Sequence, residues 1–273
     1  MSYKILSKER LADQIVKMDL FAPEITLNAA AGQFVAIICD DGGERIPLTI
    51  SDLDRVKGSI TIIFQEVGYS TISLGKKAVG ESIYAVLGPL GKPTHLEKFG
   101  NIICIGGGVG IAEMLPVAKA LRDAGNKVTG IIGARSKDLL ILEEEIKAVC
   151  DELLIATDDG SYGRKGFVTD ILLEKLNEGG FPFIYAIGPV PMMKRVADIT
   201  RPFKIKTVVS LNPLMVDGTG MCGACRCKIE GKTVFGCVDG PEFDAHKVDF
   251  DELMKRLSFF KEKETEIKNK IIR

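Results

Sequence analysis

The sequence predicts a multi-domain protein with an antiparallel all-β barrel, a doubly wound parallel α/β domain and a small cysteine-rich C-terminal domain. Short β-branched runs fill the first third, strands and helices alternate through the middle, and four of the seven cysteines lie in one glycine-rich segment near the end. The expected boundaries are 1–98, 99–212 and 213–273. A chain of 273 residues is long enough for about two domains that each have a core.

The bulk properties exclude several classes of function. The net charge is −1, which argues against a nucleic-acid partner or an anionic membrane surface. No apolar run reaches the length of a membrane span, and the N-terminus is too charged for a signal peptide. We therefore expect a cytoplasmic protein, in which clustered cysteines form a metal-ligand set rather than a disulfide framework.

The first third predicts an antiparallel barrel or sandwich. Its strand-like runs are separated by glycine and aspartate turns and span residues 33–38, 46–50 and 59–64. After the third run, Gly68, Ser70 and Thr71 mark a helix start, where free N–H groups and hydroxyls suit a phosphate. An ordinary turn with a Ser/Thr cap explains the same residues, so both interpretations stay open at this point.

The middle of the chain predicts a doubly wound sheet, because apolar strand runs alternate with helical segments. The four runs span residues 101–105, 128–132, 152–156 and 183–187. In such sheets the carboxyl ends of the strands converge on a ligand-binding crevice. The candidate cofactor-binding residues at these ends are Gly106, Gly107, Gly108, Gly110, Arg135, Asp158, Gly188 and Pro189.

The glycine loop Gly106–Gly110 favours a dinucleotide, because it follows a strand and opens a helix. Its spacing departs from Gly-x-Gly-x-x-Gly, and plain strand–helix turn chemistry is the alternative. No acidic residue stands beside Arg135 to bind a ribose 2′-hydroxyl, which favours a 2′-phosphate. Placement of Arg135 over the adenine would remove that preference.

The cysteine-rich segment predicts a metal centre. Asp217, Cys222, Cys225 and Cys237 have the spacing of a plant-type [2Fe–2S] loop, with the aspartate at the position of the first cysteine. A structural zinc on Cys222, Cys225, Cys227 and Cys237 is one alternative, and a cluster with Cys227 as a ligand is another. Cys227 lies next but one to Cys225 at a strand start, and we expect it to face away from the metal.

The segment Arg45-Ile-Pro-Leu-Thr49, followed by a strand and Gly68-Tyr-Ser-Thr71, resembles the flavin-binding barrel of the ferredoxin–NADP reductase superfamily. The α/β half resembles the nicotinamide-binding domain of the same superfamily. This resemblance implies FAD, bound by Arg45, Pro47, Leu48, Thr49, Ile63, Phe64, Gln65, Gly68, Ser70 and Thr71.

The stretch from Asp217 to Cys225, with Gly236-Cys237-Val-Asp-Gly-Pro-Glu-Phe243, makes the resemblance more specific. It is similar to the electron-transfer subunits of bacterial dihydroorotate dehydrogenase. It is more similar to the small subunits of NADH-dependent reduced ferredoxin:NADP oxidoreductases, which carry aspartate where the former carry cysteine. This implies a [2Fe–2S] cluster on Asp217, Cys222, Cys225 and Cys237, with NAD(H) as the nicotinamide and no catalytic acid or base.

The same resemblance implies the protein's partners. A large iron–sulfur flavoprotein subunit with FAD, [4Fe–4S] clusters and an NADP(H) site would form a heterodimer with this chain. Ferredoxin would act through that complex, in a flavin-based electron bifurcation. The alternatives are an electron-transfer subunit of NAD-dependent dihydroorotate dehydrogenase and, from another class, a zinc-stabilised nucleotide-binding regulatory module. The charged tail, 249–273, is predicted to be helical.

Overall fold

The structure is a computed structural model that describes residues 3–260 and 263. Contacts divide the described chain into two compact units. The first unit contains the chain up to Pro93, Asn212–Pro241 and the described residues from Asp251 onward, and the second contains Thr94–Leu211 and Glu242–Phe250. The three-domain division at residues 98 and 212 stays a prediction.

The first unit is built on one antiparallel sheet of seven strands. The strands are β1 (Tyr3–Ala12), β2 (Ile15–Phe21), β3 (Phe34–Ile38), β4 (Arg45–Asp54), β5 (Ser59–Gln65), β6 (Ser82–Ile83) and β7 (Ala85–Leu90). Their order is β6-β1-β2-β5-β4-β3-β7, which forms a nearly closed barrel. Register shifts interrupt the β1–β2, β3–β7 and β4–β5 ladders, and such irregularities bend strands toward closure.

The alternation of side chains along the strands explains this barrel. Val16, Met18 and Leu20 of β2 are fully buried, whereas the intervening Lys17 and Asp19 are partly exposed. Two helices, α1 (Pro23–Asn28) and α2 (Tyr69–Lys76), belong to the same unit. The all-β first domain is therefore confirmed.

The second unit contains a seven-stranded, mostly parallel sheet. Its strands are β8 (Asn101–Gly107), β9 (Lys127–Ala134), β10 (Glu152–Thr157), β11 (Arg164–Lys165), β12 (Phe183–Ile187), β13 (Lys206–Ser210) and the antiparallel β16 (Glu242–Asp244). The helices are α3 (Gly110–Asp123), α4 (Glu143–Val149), α5 (Val168–Glu178) and α6 (Val190–Thr200), with 3₁₀ turns at Lys137–Leu139 and Ala245–Lys247. Helix α3 packs with α4 and α5 with α6, which confirms the doubly wound arrangement.

The strand order of this sheet fixes its ligand-binding edge. The order is β11-β10-β9-β8-β12-β13-β16, so the chain leaves β8 toward one side and returns at β12 on the other. Ile187 at the end of β12 lies opposite Gly106 at the end of β8. Ligands of doubly wound sheets bind at such a switch point, outside the carboxyl ends of the strands.

The cysteine-rich segment is mostly irregular. A two-stranded ribbon, β14 (Arg226–Ile229) and β15 (Lys232–Phe235), begins directly after Cys225 and contains Cys227. Helix α7 spans Phe250–Leu257. Residues 261, 262 and 264–273 of the predicted tail helix lie outside the described residues. In the part of the chain that is described, no helix is long and apolar enough to cross a membrane.

Candidate functional site

The glycine loop after β8 lies at the switch point of the parallel sheet. A Cβ added to Gly110 would come within 2.7 Å of the Ile187 carbonyl oxygen and 2.8 Å of the Gly188 Cα. Both contacts are with backbone, so only glycine allows α3 to begin this close to β12. Gly108 adopts φ +57° and a Cβ there would meet open space. The loop combines close helix–strand packing with open backbone, the arrangement a pyrophosphate uses.

The other predicted nicotinamide-binding residues lie at the same sheet edge. Gly106 and Gly107 end β8, Arg135 follows β9, Asp158 follows β10, and Gly188 and Pro189 follow β12. The amide N of Asp158 donates to the Ala134 carbonyl oxygen at 3.2 Å, which joins the ends of β9 and β10. The structure therefore brings this whole group together along one edge, while its contact with a nucleotide stays a prediction.

The predicted flavin-binding segment lies on β4 and the end of β5. Pro47, Leu48 and Thr49 are partly exposed on β4, and Gln65 is partly exposed at the end of β5. The Phe64 side chain is 2% exposed and packs in the barrel core, so only its backbone can face a ligand. Ile63 is also buried.

The turn before α2 has a capping role in this structure. The Thr71 hydroxyl accepts hydrogen bonds from the amide N atoms of Val67 and Gly68, each at 3.1 Å. The Ser70 hydroxyl donates to Glu44 Oε2 at 2.7 Å. A Cβ on Gly68 would meet nothing within 4 Å, so the space beside the turn is open. The cap is present, and a phosphate role for the same turn stays a prediction.

Two of the four predicted cluster ligands are in contact. The Sγ atoms of Cys225 and Cys237 are 3.1 Å apart, both thiols are free, and each residue is 2% exposed. Phe34, Leu90 and Phe235 are among the apolar residues packed around them. Adjacent buried thiols without a disulfide suit two ligands of one metal centre.

The other two predicted ligands lie in the same loop but do not converge on this pair. Cys222 is exposed, and its Sγ accepts a hydrogen bond from the Ala224 amide N at 3.4 Å. The Asp217 carboxylate contacts other partners. Among residues 3–260 and 263, no three His, Cys, Asp or Glu side chains are arranged to hold a metal ion. The four-ligand set stays a prediction that requires this loop to rearrange around the thiol pair.

The Cys227 thiol makes a backbone contact. It lies on β14, and its Sγ donates to the Cys225 carbonyl oxygen at 3.6 Å. The residue is 2% exposed. A four-cysteine zinc site would need this thiol to join the other three around one metal, and no such group is present among the described residues.

Sequence reasoning missed two residues that hold the cysteine loop. Thr219 donates to Asp217 Oδ2 through its amide N at 2.9 Å and also through its hydroxyl. Arg256 Nη2 on α7 donates to the Ala224 carbonyl oxygen at 2.9 Å. A threonine in a glycine-rich loop and an arginine in a charged helix carry no sequence signal for these contacts.

The local environment shifts the pKa values of Asp217 and Cys237 in opposite directions. Hydrogen bonds from Thr219, above all, lower the pKa of Asp217, so its carboxylate is anionic at neutral pH. Burial, followed by the contact with Cys225, raises the pKa of Cys237 to about 12. A thiol must lose its proton to become a thiolate ligand, so metal binding at this site releases protons.

The second unit contains a carboxylate that sequence reasoning did not single out. Glu242 on β16 accepts a hydrogen bond from the Thr94 hydroxyl at 2.6 Å, and Tyr185 hydrogen-bonds to it as well. Burial raises the pKa of Glu242 above its ordinary value, although both hydrogen bonds act in the opposite direction. The folded state therefore holds the Glu242 proton more tightly than the unfolded chain does.

This shift predicts a pH-dependent stability difference for Glu242→Gln. The contribution of Glu242 is fully present below its ordinary pKa of 4.5 and is lost as pH rises through the higher folded-state value. The wild type should therefore lose stability relative to Glu242→Gln as pH rises from 4.5 toward 8, measured by urea unfolding. Glu145→Gln, at an exposed position on α4, is the matched control. A constant difference across this range would contradict the linkage.

Two regions of the chain match known protein families. Residues 104–198 match the oxidoreductase NAD-binding domain. Residues 212–249 match the iron–sulfur cluster binding domain of dihydroorotate dehydrogenase B. These matches cover the glycine loop and the cysteine loop, and they favour an iron–sulfur centre over zinc at the latter.

Full-length comparisons extend these matches. A relative from Thermotoga maritima, named as a dihydroorotate dehydrogenase B (NAD⁺) electron transfer subunit homolog, is 46% identical over 96% of this chain and 92% of its own length. A solved structure of an NADH-dependent reduced ferredoxin–NADP oxidoreductase, studied for flavin-based electron bifurcation, aligns with TM-score 0.94 at 42% identity, covering 100% of this chain and 99% of that one. Phthalate dioxygenase reductase shares the fold, with TM-score 0.60 at 18% identity over 84% and 86% of the two chains.

The fold and the two domains define an electron-transfer subunit of an NAD(P)H-dependent oxidoreductase with a ferredoxin reductase-like architecture. The chain belongs to the family of dihydroorotate dehydrogenase B electron-transfer subunits and their homologues. Membership of this class confirms the predicted cofactors FAD, a [2Fe–2S] cluster and NAD(H). As an electron-transfer subunit, the chain works with a partner subunit.

Proposed function

We propose that this chain is the small subunit of an electron-bifurcating NADH-dependent ferredoxin:NADP oxidoreductase. The observation that carries the proposal is the full-length structural similarity to the NADH-dependent reduced ferredoxin–NADP oxidoreductase chain, at TM-score 0.94 and 42% identity. Asp217 adds support, because it stands where the resemblance implies cysteine in dihydroorotate dehydrogenase subunits. An electron-transfer subunit of dihydroorotate dehydrogenase is the second candidate, favoured by the name of the 46% identical relative.

When bound, FAD would supply the chemistry of electron transfer, since a flavin can take a hydride from NADH and release single electrons to an iron–sulfur cluster. The role of the protein chain is to bind these cofactors and to orient them relative to one another. Backbone N–H groups of the loop Gly106–Gly110 bind the pyrophosphate, and Gly188 and Pro189 leave room for the nicotinamide. Hydride transfer depends on alignment, so no side chain is needed as an acid or base.

On the barrel, β4 and the turn before α2 bind the flavin. Pro47, Leu48 and Thr49 present partly exposed side chains along one strand. The open space beside Gly68 and the amide groups at the start of α2 suit the FAD pyrophosphate. Arg45 lies on the same strand and contributes positive charge to this region.

Asp217, Cys222, Cys225 and Cys237 hold the [2Fe–2S] cluster in this proposal. The buried Cys225–Cys237 pair is the preformed half of the ligand set, and the glycine-rich backbone around Cys222 can close around the metal. Gly218, Gly220 and Gly223 all have positive φ, at 82°, 90° and 68°, which non-glycine residues rarely adopt.

Asp217→Cys tests the carboxylate ligand. We expect the variant to retain a cluster with a more negative reduction potential, because thiolate is a softer and stronger donor to iron than carboxylate. EPR-monitored redox titration measures this. Equal potentials and EPR signals for Asp217→Ala and wild type would show that Asp217 is not a ligand.

The proposed partner is a large iron–sulfur flavoprotein subunit that carries a second FAD, [4Fe–4S] clusters and the NADP(H) site. The two subunits form a heterodimer, and ferredoxin exchanges electrons with the complex. This chain supplies an NAD-binding domain and an iron–sulfur domain. The proposal places the NADP(H) and ferredoxin reactions on the partner.

Anaerobic purification of the native complex separates the two candidates. The proposal predicts co-purification with an iron–sulfur flavoprotein and NADPH-dependent reduction of both NAD⁺ and ferredoxin. Co-purification with an FMN-containing dihydroorotate-oxidising subunit would instead support the second candidate. A colourless chain with one bound zinc would exclude both.

A further inference from the structure

We propose that Arg45 is a positioning residue for Asp217, and that its guanidinium sets the reduction potential of the cluster by holding this ligand against barrel strand β4. The inference rests on the proposed cluster site. It assigns Arg45 to the metal centre, where the family resemblance had implied a flavin contact alone.

One nitrogen of Arg45 donates to two oxygen atoms of Asp217. Arg45 Nη1 lies 2.5 Å from Asp217 Oδ1 and 2.6 Å from the Asp217 carbonyl oxygen. One guanidinium nitrogen therefore holds both the side chain and the main chain of the predicted ligand. The side chains are 35% and 20% exposed, so solvent screens this ion pair only in part.

Asp217 and its neighbour have further contacts in this structure. Thr219 occupies Oδ2, while Arg45 occupies Oδ1. The next residue, Gly218, has φ +82°, and a Cβ there would lie 3.3 Å from Leu90 on β7 and 3.8 Å from Ala36 on β3. The loop thus lies directly on the barrel strands at this point. Each carboxylate oxygen can accept more than one partner, so Oδ1 can keep Arg45 while it also binds iron.

The expected electrostatic effect has a definite sign. Reduction adds one negative charge to the cluster, and a nearby fixed positive charge stabilises that reduced state. The hydrogen bond also withdraws electron density from the ligand oxygen, which acts in the same direction. Arg45 therefore raises the reduction potential, and its removal should lower it.

The test compares Arg45→Gln with Arg45→Lys and with Arg10→Gln. Arg10 is a matched control, because it is a barrel arginine that forms an ion pair of 2.9 Å with a different carboxylate, that of Glu66. We expect Arg45→Gln to shift the cluster potential to more negative values and to change its EPR spectrum. Arg45→Lys should show a smaller shift, and Arg10→Gln none. FAD and iron content per chain are measured for every variant.

Two outcomes would overturn the inference. One is a wild-type potential and EPR spectrum in Arg45→Gln with normal iron content. The other is loss of FAD from Arg45→Gln while the cluster is unchanged, which would assign Arg45 to the flavin alone. Absence of iron from the wild type would instead reject the proposed function, so the two failures are distinguishable.

A second measurement covers the case in which Arg45→Gln loses its cluster. In cluster-free protein, hydrogen–deuterium exchange at the Thr219 amide reports on the Asp217 hydrogen bond. We expect Arg45→Gln to speed this exchange by roughly 10-fold, because one anchor of the loop is removed. Unchanged exchange at Thr219 would contradict the positioning role, whatever the iron content.

Discussion

Replacement of Cys237 by serine is expected to remove most of the bound iron and the sulfide-to-iron absorption. The buried Cys225–Cys237 pair is the preformed part of the ligand set, with 3.1 Å between the sulfur atoms. A hydroxyl at this buried position is a poor ligand for iron and cannot replace the thiolate. Iron analysis and visible spectroscopy of anaerobically purified protein measure the loss, which we expect to exceed about 10-fold.

Cys227→Ser is the matched control for this experiment. Cys227 is buried to the same extent as Cys237, but its Sγ is turned toward the Cys225 carbonyl oxygen. A serine hydroxyl can donate to the same carbonyl, so the cluster should remain. Loss of iron from Cys227→Ser with retention in Cys237→Ser would reverse the ligand assignment.

The second large effect is expected at the glycine loop of the nicotinamide-binding domain. In Gly110→Ala, the new Cβ would lie 2.7 Å from the Ile187 carbonyl oxygen, and Ile187 is paired with neighbouring strands on both sides. The start of α3 must shift, and a displacement of this kind costs about 100-fold in kcat/KM when it moves a bound reactant. Steady-state NADH oxidation with an artificial electron acceptor measures the change.

Gly107→Ala provides a graded comparison for Gly110→Ala. The Cβ at residue 107 would lie 2.5 Å from the Met192 Sδ, which is the flexible part of a side chain and can rotate away. Its effect on kcat/KM for NADH should therefore be several-fold smaller than that of Gly110→Ala. Equal activity of wild type and Gly110→Ala would contradict the assignment of this loop to the nucleotide.

Local patterns were sufficient to predict four of the seven strands of the second sheet and the edge at which the candidate cofactor-binding residues lie. Strand Phe183–Ile187 contains five consecutive buried residues, and the apolar run in the sequence predicted it directly. Gly106 to Gly110 stand between a buried strand and a helix, so their role in close packing followed from position alone.

Long-range contacts could not be predicted in the same way. Arg45 and Asp217 are 172 residues apart in sequence, and no local pattern joins a barrel strand to a distant loop. Glu242 was hidden for a related reason, because its burial depends on β16 pairing with β13 and on the Thr94 hydroxyl. The strands β1 and β2 were also missed, since their outward residues are charged and interrupt the apolar runs.

The most direct test of electron transfer through this chain is an anaerobic NADH titration of the natively purified protein, followed by visible and EPR spectroscopy. NADH should bleach the flavin absorption and produce the EPR signal of a reduced [2Fe–2S] cluster in the same titration. Cys237→Ser should retain flavin bleaching without the cluster signal. Protein that holds iron and FAD but shows no cluster reduction by NADH would contradict electron transfer from the nucleotide to the cysteine loop.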